Sequence, residues 1–224
     1  MDRRLLKIYN LIDQNAKGVC DVGTDHGMIP VRLALNGFPG NLIATDINAG
    51  PLDRAMENAR SHSVNDRITF CRADGLPTWL SARFDTAVIA GMGGDLICSI
   101  LDRADFVFSE NYTLILQPMS KPEVLRYYLV NNGFAVLDDD LAEDCGRIYQ
   151  IIRCVFTGVN DNYADAELYL GKKSRCNDPM LYERSLASFR KTLVKIIHGS
   201  LSSGEIGKRL FYLNMAQWID NILG

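Results

Sequence analysis

Short apolar runs alternate with stretches of helical periodicity along the first two thirds of the chain. Each of five such runs is apolar nearly throughout, as expected of strands that are covered on both faces of a sheet. This alternation is typical of an α/β protein with a mostly parallel sheet. The predicted strands are Val19–Val22, Asn41–Asp46, Arg67–Arg72, Asp85–Ala90 and Thr113–Gln117, and the predicted helices are Ile29–Leu35, Pro51–His62, Leu96–Ala104 and Lys121–Asn131.

The pattern changes after the fifth predicted strand. Phe134–Leu141 and Arg147–Thr157 read as two further strands with an acidic turn and no helix between them, so we expect an antiparallel hairpin at the edge of the sheet. Five parallel strands that end in such a hairpin are typical of the seven-stranded methyltransferase variant of the Rossmann-like fold, whereas the dehydrogenase variant has six parallel strands. The sequence therefore predicts an α/β domain of the former kind over residues 1–160.

The C-terminal part, residues 161–224, is predicted to form a helical hairpin. Apolar residues recur at intervals of three and four between Leu186 and Ile196, and again between Ile206 and Leu223, which is the period of a helix. The segment HGSLSSG separates the two series with glycine and serine. We therefore expect two antiparallel helices that extend the sheet domain.

Composition places the 224-residue chain among ordinary globular proteins, with 47% hydrophobic and 23% charged residues. No run approaches the roughly 18 apolar residues of a membrane-spanning helix, and the N-terminus lacks the apolar core of a signal peptide. The six cysteines are scattered without a CxxC pair, which favours free thiols over a metal site or a disulfide framework. We therefore expect a cytoplasmic monomer with no metal and no membrane partner.

Charge is distributed unevenly along the chain. The net charge of −3 divides into −5 for residues 1–160 and +2 for residues 161–224. An acidic total is unfavourable for a nucleic-acid partner. The basic excess of the C-terminal part, however, suits either a solvated helical surface or a phosphate-binding one.

The first candidate ligand-binding residues follow the first strand, in the segment DVGTDHG that starts at Asp21. Ligands of doubly wound sheets bind beyond the carboxyl ends of the strands, and Gly23 lets the backbone approach a ligand closely. The dehydrogenase fingerprint GxGxxG is absent, and the charge of Asp25 would repel a pyrophosphate. S-adenosylmethionine has no phosphate and carries a positive sulfonium, so carboxylates in this loop favour that cofactor.

Acids also follow the second and third strands. Asp46 comes about 20 residues after Gly23, as expected of an acid that accepts hydrogen bonds from a ribose, although alone it would also suit a helix N-cap. Asp74 and Gly75 offer either an acceptor for an adenine amino group or an ordinary turn. The ends of these strands therefore extend the candidate adenosyl site.

Glycines and a short polar motif follow the fourth and fifth strands. Three glycines lie within Ile89–Asp95, which favours a wall that a ligand approaches closely. Gln117 and Pro118 follow the next strand, and we expect them at the mouth of the same cleft.

The set DVGTDHG, ATDI, ADGL, AGMGGDLI, LILQP and the later EDCGRIYQII closely resembles the bacterial tRNA (adenine-22-N1)-methyltransferase family. The resemblance covers roughly Asp2 to Ile152, and a helical C-terminal extension of the right kind follows. It implies a class I methyltransferase fold with a C-terminal helical hairpin. It also implies S-adenosyl-L-methionine as the cofactor and an adenine in the D-loop region of tRNA as the substrate.

The resemblance also assigns roles to individual residues. Asp25 would be the catalytic residue that faces the target base. The cofactor site would consist of Asp21, Gly23, Thr24, His26, Asp46, Ile47, Asp74, Gly75 and Gly91, and the substrate pocket of Met28, Met92, Gln117 and Pro118. Apart from the resemblance, the target base must leave its stack to reach the site, so an RNA-holding surface is needed. The candidates for its phosphate contacts are the C-terminal cations Lys172, Lys173, Arg175, Arg190, Lys191, Lys195, Lys208 and Arg209.

Two positions depart from the family pattern and bear on how the adenine is held. Met119 stands where the family commonly has Asn after LQP, and Met28 stands where an aromatic residue is common. Methyl transfer to N1 of adenine requires alignment and stabilisation of the charge that develops on the purine, but no strong base. We therefore expect Asp25 to accept a hydrogen bond from the N6 amino group and to stabilise that charge.

Three other functions stay open on the residues alone. The first is an adenosylmethionine-dependent methyltransferase that acts on a small molecule or a protein. The second is a non-catalytic module that binds an adenosyl ligand or RNA. A nicotinamide oxidoreductase is the third, and the missing GxGxxG and the terminal hairpin disfavour it.

Overall fold

The computed structural model describes residues 2–199 and 206–223. Seven strands and eight α-helices alternate along these residues, and the five predicted parallel strands are all present. The strands are β1 (Gly18–Val22), β2 (Asn41–Asp46), β3 (Ile68–Arg72), β4 (Thr86–Gly93), β5 (Thr113–Ser120), β6 (Phe134–Asp144) and β7 (Arg147–Phe156). The helices are α1 (Arg3–Leu11), α2 (Met28–Leu35), α3 (Ala49–Ser61), α4 (Gly94–Asp102), α5 (Pro122–Asn131), α6 (Asp165–Leu170), α7 (Pro179–Gly199) and α8 (Ile206–Leu223).

The seven strands form one sheet in the order β3-β2-β1-β4-β5-β7-β6. Strands β1 to β5 are parallel to one another, and β7 is antiparallel to both β5 and β6. The predicted fold class, five parallel strands with a terminal antiparallel hairpin, is therefore confirmed. The strand order reverses between β1 and β4, and a crevice opens at such a point beyond the carboxyl ends of the strands.

Apolar clusters cover both faces of the sheet. On one face, Leu101 of α4 and Leu129 of α5 pack against the cluster that contains Ile89. On the other, Ile8 of α1 and Leu33 of α2 join a second cluster. Because β1, β2, β4 and β5 are mostly buried on both faces, their central residues are apolar, which is the pattern that made them predictable.

Three strands extend further than the sequence predicted, and one of them is β5, which continues beyond Gln117 to Ser120. Strand β4 continues to Gly93 through register shifts against β5 at Ala90 and Met92. Strand β6 continues to Asp144, which pairs with Arg147 of β7. The predicted acidic turn is thus wrong in its bounds: its acidic residues lie in the strand, and the turn itself is Cys145 and Gly146.

Two helices, α1 and α6, were not predicted. The carboxylate of Asp2 caps α1 by accepting a hydrogen bond from the backbone N–H of Leu5 at 2.6 Å, which satisfies an otherwise unpaired donor at the start of the helix. Ile8 on the opposite face of α1 is fully buried. This packing brings the N-terminal segment to the carboxyl ends of the central strands.

The two long C-terminal helices α7 and α8 pack against each other, as the sequence predicted. Leu186 and Leu193 of α7 share one apolar cluster with Met215 and Ile219 of α8. Most of the segment HGSLSSG, predicted as the break between them, lies outside the described residues. The domain boundary at residue 160 stays a prediction.

A buried carboxylate attaches the C-terminal part to the sheet. Asp139 of β6 accepts two hydrogen bonds from Arg126 of α5, at 2.9 and 2.6 Å, through Oδ1. Its Oδ2 accepts from the hydroxyl of Tyr163 and the backbone N–H of Lys172, both at 3.0 Å. Arg126 also donates to the carbonyl of Leu168 at 2.9 Å. Both charged side chains are fully buried, and their hydrogen bonds compensate for lost hydration.

None of the helices in the described ranges is long and apolar enough to cross a membrane. Across those same ranges, no group of three or more His, Cys, Asp or Glu side chains is placed to hold a metal ion.

Candidate active site

A cleft of about 960 Å³ lies where the strand order reverses. Its walls come from the ends of β1 and β4, from α1 and from α3. Six predicted residues line it, namely Asp21, Gly23, Asp25, His26, Met28 and Gly91, together with the unpredicted Arg4, Arg54, Glu57 and Asn58.

Asp21, near the end of β1, forms the acidic floor of the cleft. Only 7% of this residue is exposed, and burial raises the pKa of its carboxyl from 3.8 to about 6. The hydroxyl of Thr24 donates a hydrogen bond to Asp21 at 2.7 Å, and the backbone N–H of Thr24 donates to the carbonyl of Thr45 at 2.9 Å. No cation of the described residues pairs with Asp21, so the site can accommodate a positive group of a ligand.

Gly23 occupies a position that a larger residue would obstruct. Its φ is +71°, and a Cβ atom there would lie 2.2 Å from the terminal methyl of Met92. The close neighbour in the structure is thus Met92, and the predicted approach of a ligand to Gly23 stays a prediction. Met92 packs against the core next to this loop and does not line the cleft itself.

Asp25, the predicted catalytic residue, lines the cleft with an exposed carboxylate. Its Oδ1 accepts hydrogen bonds from Nη2 and Nε of Arg54, at 2.8 and 3.3 Å, and lies 3.7 Å from Nε2 of His26. Its Oδ2 accepts no hydrogen bond from the described residues. One oxygen thus orients the side chain, and the other is available to a ligand.

Asn58 of α3 supports the turn that carries these groups. Its amide nitrogen donates to the carbonyl of His26 at 2.7 Å and lies 3.9 Å from the sulfur of Met28. His26 has a φ of +60°, a left-handed conformation that residues other than glycine rarely adopt. The hydrogen bond from Asn58 stabilises this conformation.

The other predicted cofactor residues lie at the neighbouring strand ends, outside the lining of the cleft. Asp46 ends β2, and its Oδ1 accepts from the backbone N–H of Asn48 at 2.7 Å. Ile47 is exposed. Asp74, just beyond β3, pairs with Arg103 at 3.1 Å.

A hydroxyl connects these strand ends. Thr45 Oγ1 lies 3.5 Å from the carbonyl of Asp21 and 3.4 Å from that of Gly75. The end of β2 is thereby linked to β1 and to the loop after β3.

Gln117 of β5 forms hydrogen bonds with two residues that line the cleft. Its Oε1 accepts from Nη1 of Arg4 at 2.7 Å and from the backbone N–H of Gly91 at 3.2 Å. Its Nε2 donates to the carbonyl of Pro118 at 2.9 Å. Gln117 is fully buried and does not line the cleft, and Pro118 lines a neighbouring one. Their role in a substrate pocket stays a prediction.

The predicted phosphate-binding cations fall into two groups. Four of them form intramolecular ion pairs: Lys172 and Arg175 with Asp161, Lys173 with Glu183, and Arg190 with Asp220. Lys191, Lys195 and Arg209 are exposed and pair with no acid that the structure describes. The side chain of Lys208 lies outside the described residues. Phosphate contacts by all eight stay a prediction.

Sequence reasoning missed the cleft residues that come from helices α1 and α3. On α3, Arg54, Glu57, Asn58 and Ser61 recur at intervals of three and four and all line the cleft. This polar stripe directly after the Asp46 strand is a sequence signal that could have located them. Arg4 carries no comparable signal, because its place depends on the packing of α1.

A seven-stranded sheet of this order, with an antiparallel β7 and an acidic cleft without a phosphate-binding GxGxxG loop, defines a class I methyltransferase type of domain. A family model described as "Methyltransferase domain" matches residues 1–152. The chain therefore belongs to the methyltransferase domain family.

Individual relatives extend the comparison. A tRNA (adenine(22)-N(1))-methyltransferase of Bacillus subtilis is 30% identical over 152 residues, which cover 68% of this chain and 63% of that protein. The matched segment thus spans less than two thirds of that relative.

Solved structures match the whole described fold. A protein of the NADB-Rossmann superfamily from Streptococcus agalactiae, 27% identical, superposes with a TM-score of 0.87 over 100% of this chain and 97% of its own. A candidate tRNA (m1A22) methyltransferase of Streptococcus pneumoniae, in complex with S-adenosyl-L-methionine, is 24% identical with a TM-score of 0.83 and full coverage of both chains. The C-terminal helices are therefore part of a recurrent fold.

Proposed function

We propose that the protein transfers a methyl group from S-adenosyl-L-methionine to N1 of an adenine at position 22 of tRNA. The observation that carries the proposal is the buried Asp21, a carboxylate without a cationic partner among the described residues, at the floor of a cleft at the switch point of the sheet. The name of the Bacillus subtilis relative supports the choice of substrate.

The charges of the cleft suit this cofactor. S-adenosylmethionine presents two positive groups, a sulfonium and an α-ammonium, and no phosphate. Asp21 at the floor and Asp25 in the wall would attract both groups and would repel a pyrophosphate. The complex of the Streptococcus pneumoniae relative contains the same cofactor.

The strand ends supply acceptors for the adenosyl part. Asp46 has an Oδ2 that accepts no hydrogen bond from the described residues, and it would accept from the ribose hydroxyls. Asp74 would accept from the adenine amino group in competition with its exposed partner Arg103. Ile47 and Gly75, next to these acids, would contact the adenine.

Asp25 would act on the target base. When bound, the cofactor supplies an electrophilic methyl group to the lone pair of N1, and neutral adenine needs no prior loss of a proton there. Arg54 holds Oδ1 of Asp25, so Oδ2 would accept a hydrogen bond from the N6 amino group and stabilise the positive charge of the methylated base. Met28 would contact the same base.

A nucleic-acid surface would complete the enzyme. The base must leave its stack to reach the cleft, and the exposed cations Lys191, Lys195 and Arg209 would hold the surrounding phosphates. The protein would act as a monomer in the cytoplasm, where tRNA is found.

The test is methyl incorporation from labelled S-adenosylmethionine into unmodified tRNA, followed by nucleoside analysis. A tRNA with guanine in place of adenine 22 is the matched control. We expect 1-methyladenosine from the first tRNA and no incorporation into the second. Bound cofactor without methylation of any tRNA would refute the substrate assignment, and failure to bind the cofactor would refute the proposed chemistry.

A further inference from the structure

A second cleft, of about 660 Å³, lies between the sheet and the C-terminal helices. Its sheet side includes Pro118, Tyr149 and Gln150, and its helical side includes Tyr169 and Phe189. It shares no described lining residue with the candidate active-site cleft. The functions proposed above assign no role to its helical side.

Gln150, one of the residues that line this cleft, has an unused hydrogen-bond acceptor. Its Nε2 donates to the carbonyl of Tyr169 at 3.0 Å, so the orientation of the amide is determined and Oε1 is the remaining polar atom. Oε1 is buried and has no partner among the described residues. Such an acceptor is costly in an interior, and an N–H group of a ligand would satisfy it.

Aromatic rings line the same cleft as this acceptor. The rings of Tyr169 and Phe189 are stacked, with centroids 5.5 Å apart and planes inclined by 26°, and Tyr149 lines the opposite side. Of the described lining residues, the charged ones are Arg147 and Glu123. Serine and threonine hydroxyls also line this cleft. Aromatic rings, hydrogen-bonding groups and the cation Arg147 are features that bind an unstacked base and its phosphate.

The second cleft adjoins the candidate active site through two side chains. Arg4 lines the active-site cleft, and its guanidinium lies 5.6 Å from the ring centroid of Tyr149. Arg4 also donates to Gln117, whose neighbour Pro118 lines the second cleft. Arg4 therefore lies in one cleft and contacts the ring of a residue that lines the other, so the two clefts are neighbours. Neighbouring nucleotides of one strand would then reach both.

We propose that the second cleft binds one unpaired base of the tRNA next to the methylated adenine. The base carries an exocyclic amino group, as adenine, cytosine and guanine do, and this group donates to Oε1 of Gln150. The ring stacks on the aromatic walls. This inference rests on the proposed function, since it specifies how the same substrate is held.

The test combines two protein variants with altered tRNAs. Gln150→Leu removes the acceptor, and Phe189→Ala removes an aromatic wall and covers the case in which the first variant fails to fold. Phe211→Ala is the control, because Phe211 belongs to the same apolar cluster and neighbours Tyr169 without lining the cleft. Each variant is assayed on tRNAs in which each nucleotide beside the target adenine is made abasic in turn.

We expect both cleft variants to raise the KM for tRNA by about tenfold, with kcat and cofactor affinity unchanged. On one of the abasic tRNAs, the KM of the wild-type protein should rise by the same factor. The cleft variants should cause no further rise of KM on that tRNA. An unchanged KM in the cleft variants would overturn the inference. A full further rise of KM in these variants on every abasic tRNA would overturn it as well. If the wild-type protein methylates no tRNA, the proposed function fails, and fluorescence anisotropy with the same RNAs still decides whether the cleft binds the base.

Discussion

Replacement of Asp21 by Asn should stabilise the unliganded protein above pH 6 and weaken cofactor binding. Asn has nearly the same shape, and its carbonyl can accept the hydrogen bond that Thr24 donates to Asp21 at 2.7 Å. What the change removes is a buried charge that has no cationic partner among the described residues. We therefore expect its effect on stability to depend on pH.

The magnitude follows from the shift of the pKa. Burial raises the pKa of Asp21 from 3.8 to about 6, and each unit corresponds to about 1.4 kcal/mol, so the ionised carboxylate costs the folded state about 3 kcal/mol. Between these two values the unfolded chain has lost the proton and the folded protein still holds it. The stability that Asp21 contributes is thus present below pH 4 and is lost as the pH rises to 6.

Urea unfolding of both proteins at intervals from about pH 3.5 to 8 measures this effect. The free energy of unfolding of Asp21→Asn minus that of the wild type should rise by about 3 kcal/mol between pH 4 and 6 and then stay constant. Other titrating groups cancel in the difference. A difference that is flat with pH would refute the assignment of a raised pKa, whatever the absolute stabilities.

Three further changes test other parts of the structure. Asp25→Ala should lower kcat for tRNA methylation by about 10- to 100-fold, the loss of one charge-assisted hydrogen bond, with little effect on cofactor affinity measured by calorimetry. Gly171→Ala should lower the free energy of unfolding by about 2–4 kcal/mol, because φ is +79° and the new Cβ would lie 2.5 Å from Cγ of Asp139. Charge reversal of Lys191 and Lys195 should weaken tRNA binding and reduce the slope of log K against log salt by about 0.7–0.9 for each lost phosphate contact.

Matched variants sharpen these three tests. Asp25→Asn keeps an acceptor without the charge, so a normal kcat in both Asp25 variants would exclude this residue from catalysis. Gly37→Ala shares the positive φ with no atom within 4 Å of the new Cβ, so an equal loss there would contradict the steric explanation. Arg32→Glu reverses one exposed cation on α2, and an equal loss of salt dependence per reversed charge would show that the C-terminal helices do not bind the phosphates.

The sheet could be predicted from the sequence because its strands are buried on both faces. The central residues of β2, Leu42, Ile43 and Ala44, are apolar for that reason, and the parallel strands were all located. The limits of β4 and β6 were less predictable, because both continue where the side chains are no longer apolar. Their last residues are held by pairing with β5 and β7, and this pairing leaves no local pattern.

The candidate active site was also predictable only in part from the sequence. Asp21, Gly23 and Asp25 were found because they follow a recognisable strand within a short motif. The partner of Asp25 was not found, because Arg54 lies on the next helix but one and meets it only in the folded chain. Gln117 was found as a motif residue, but its buried position behind Gly91 depends on the packing of Arg4.

The acidic run of β6 bears on the order in which the chain can assemble. Asp139 forms an ion pair with Arg126 of α5, and the equally buried Asp140 forms one with Lys7 of α1. Each carboxylate also accepts a hydrogen bond from a backbone N–H of the segment before α7. This junction joins segments that are far apart in the chain, so its contacts must form late and together, as is usual for non-local contacts. The C-terminal helices should therefore gain their final position only after β6 has entered the sheet, and should unfold in one step with it.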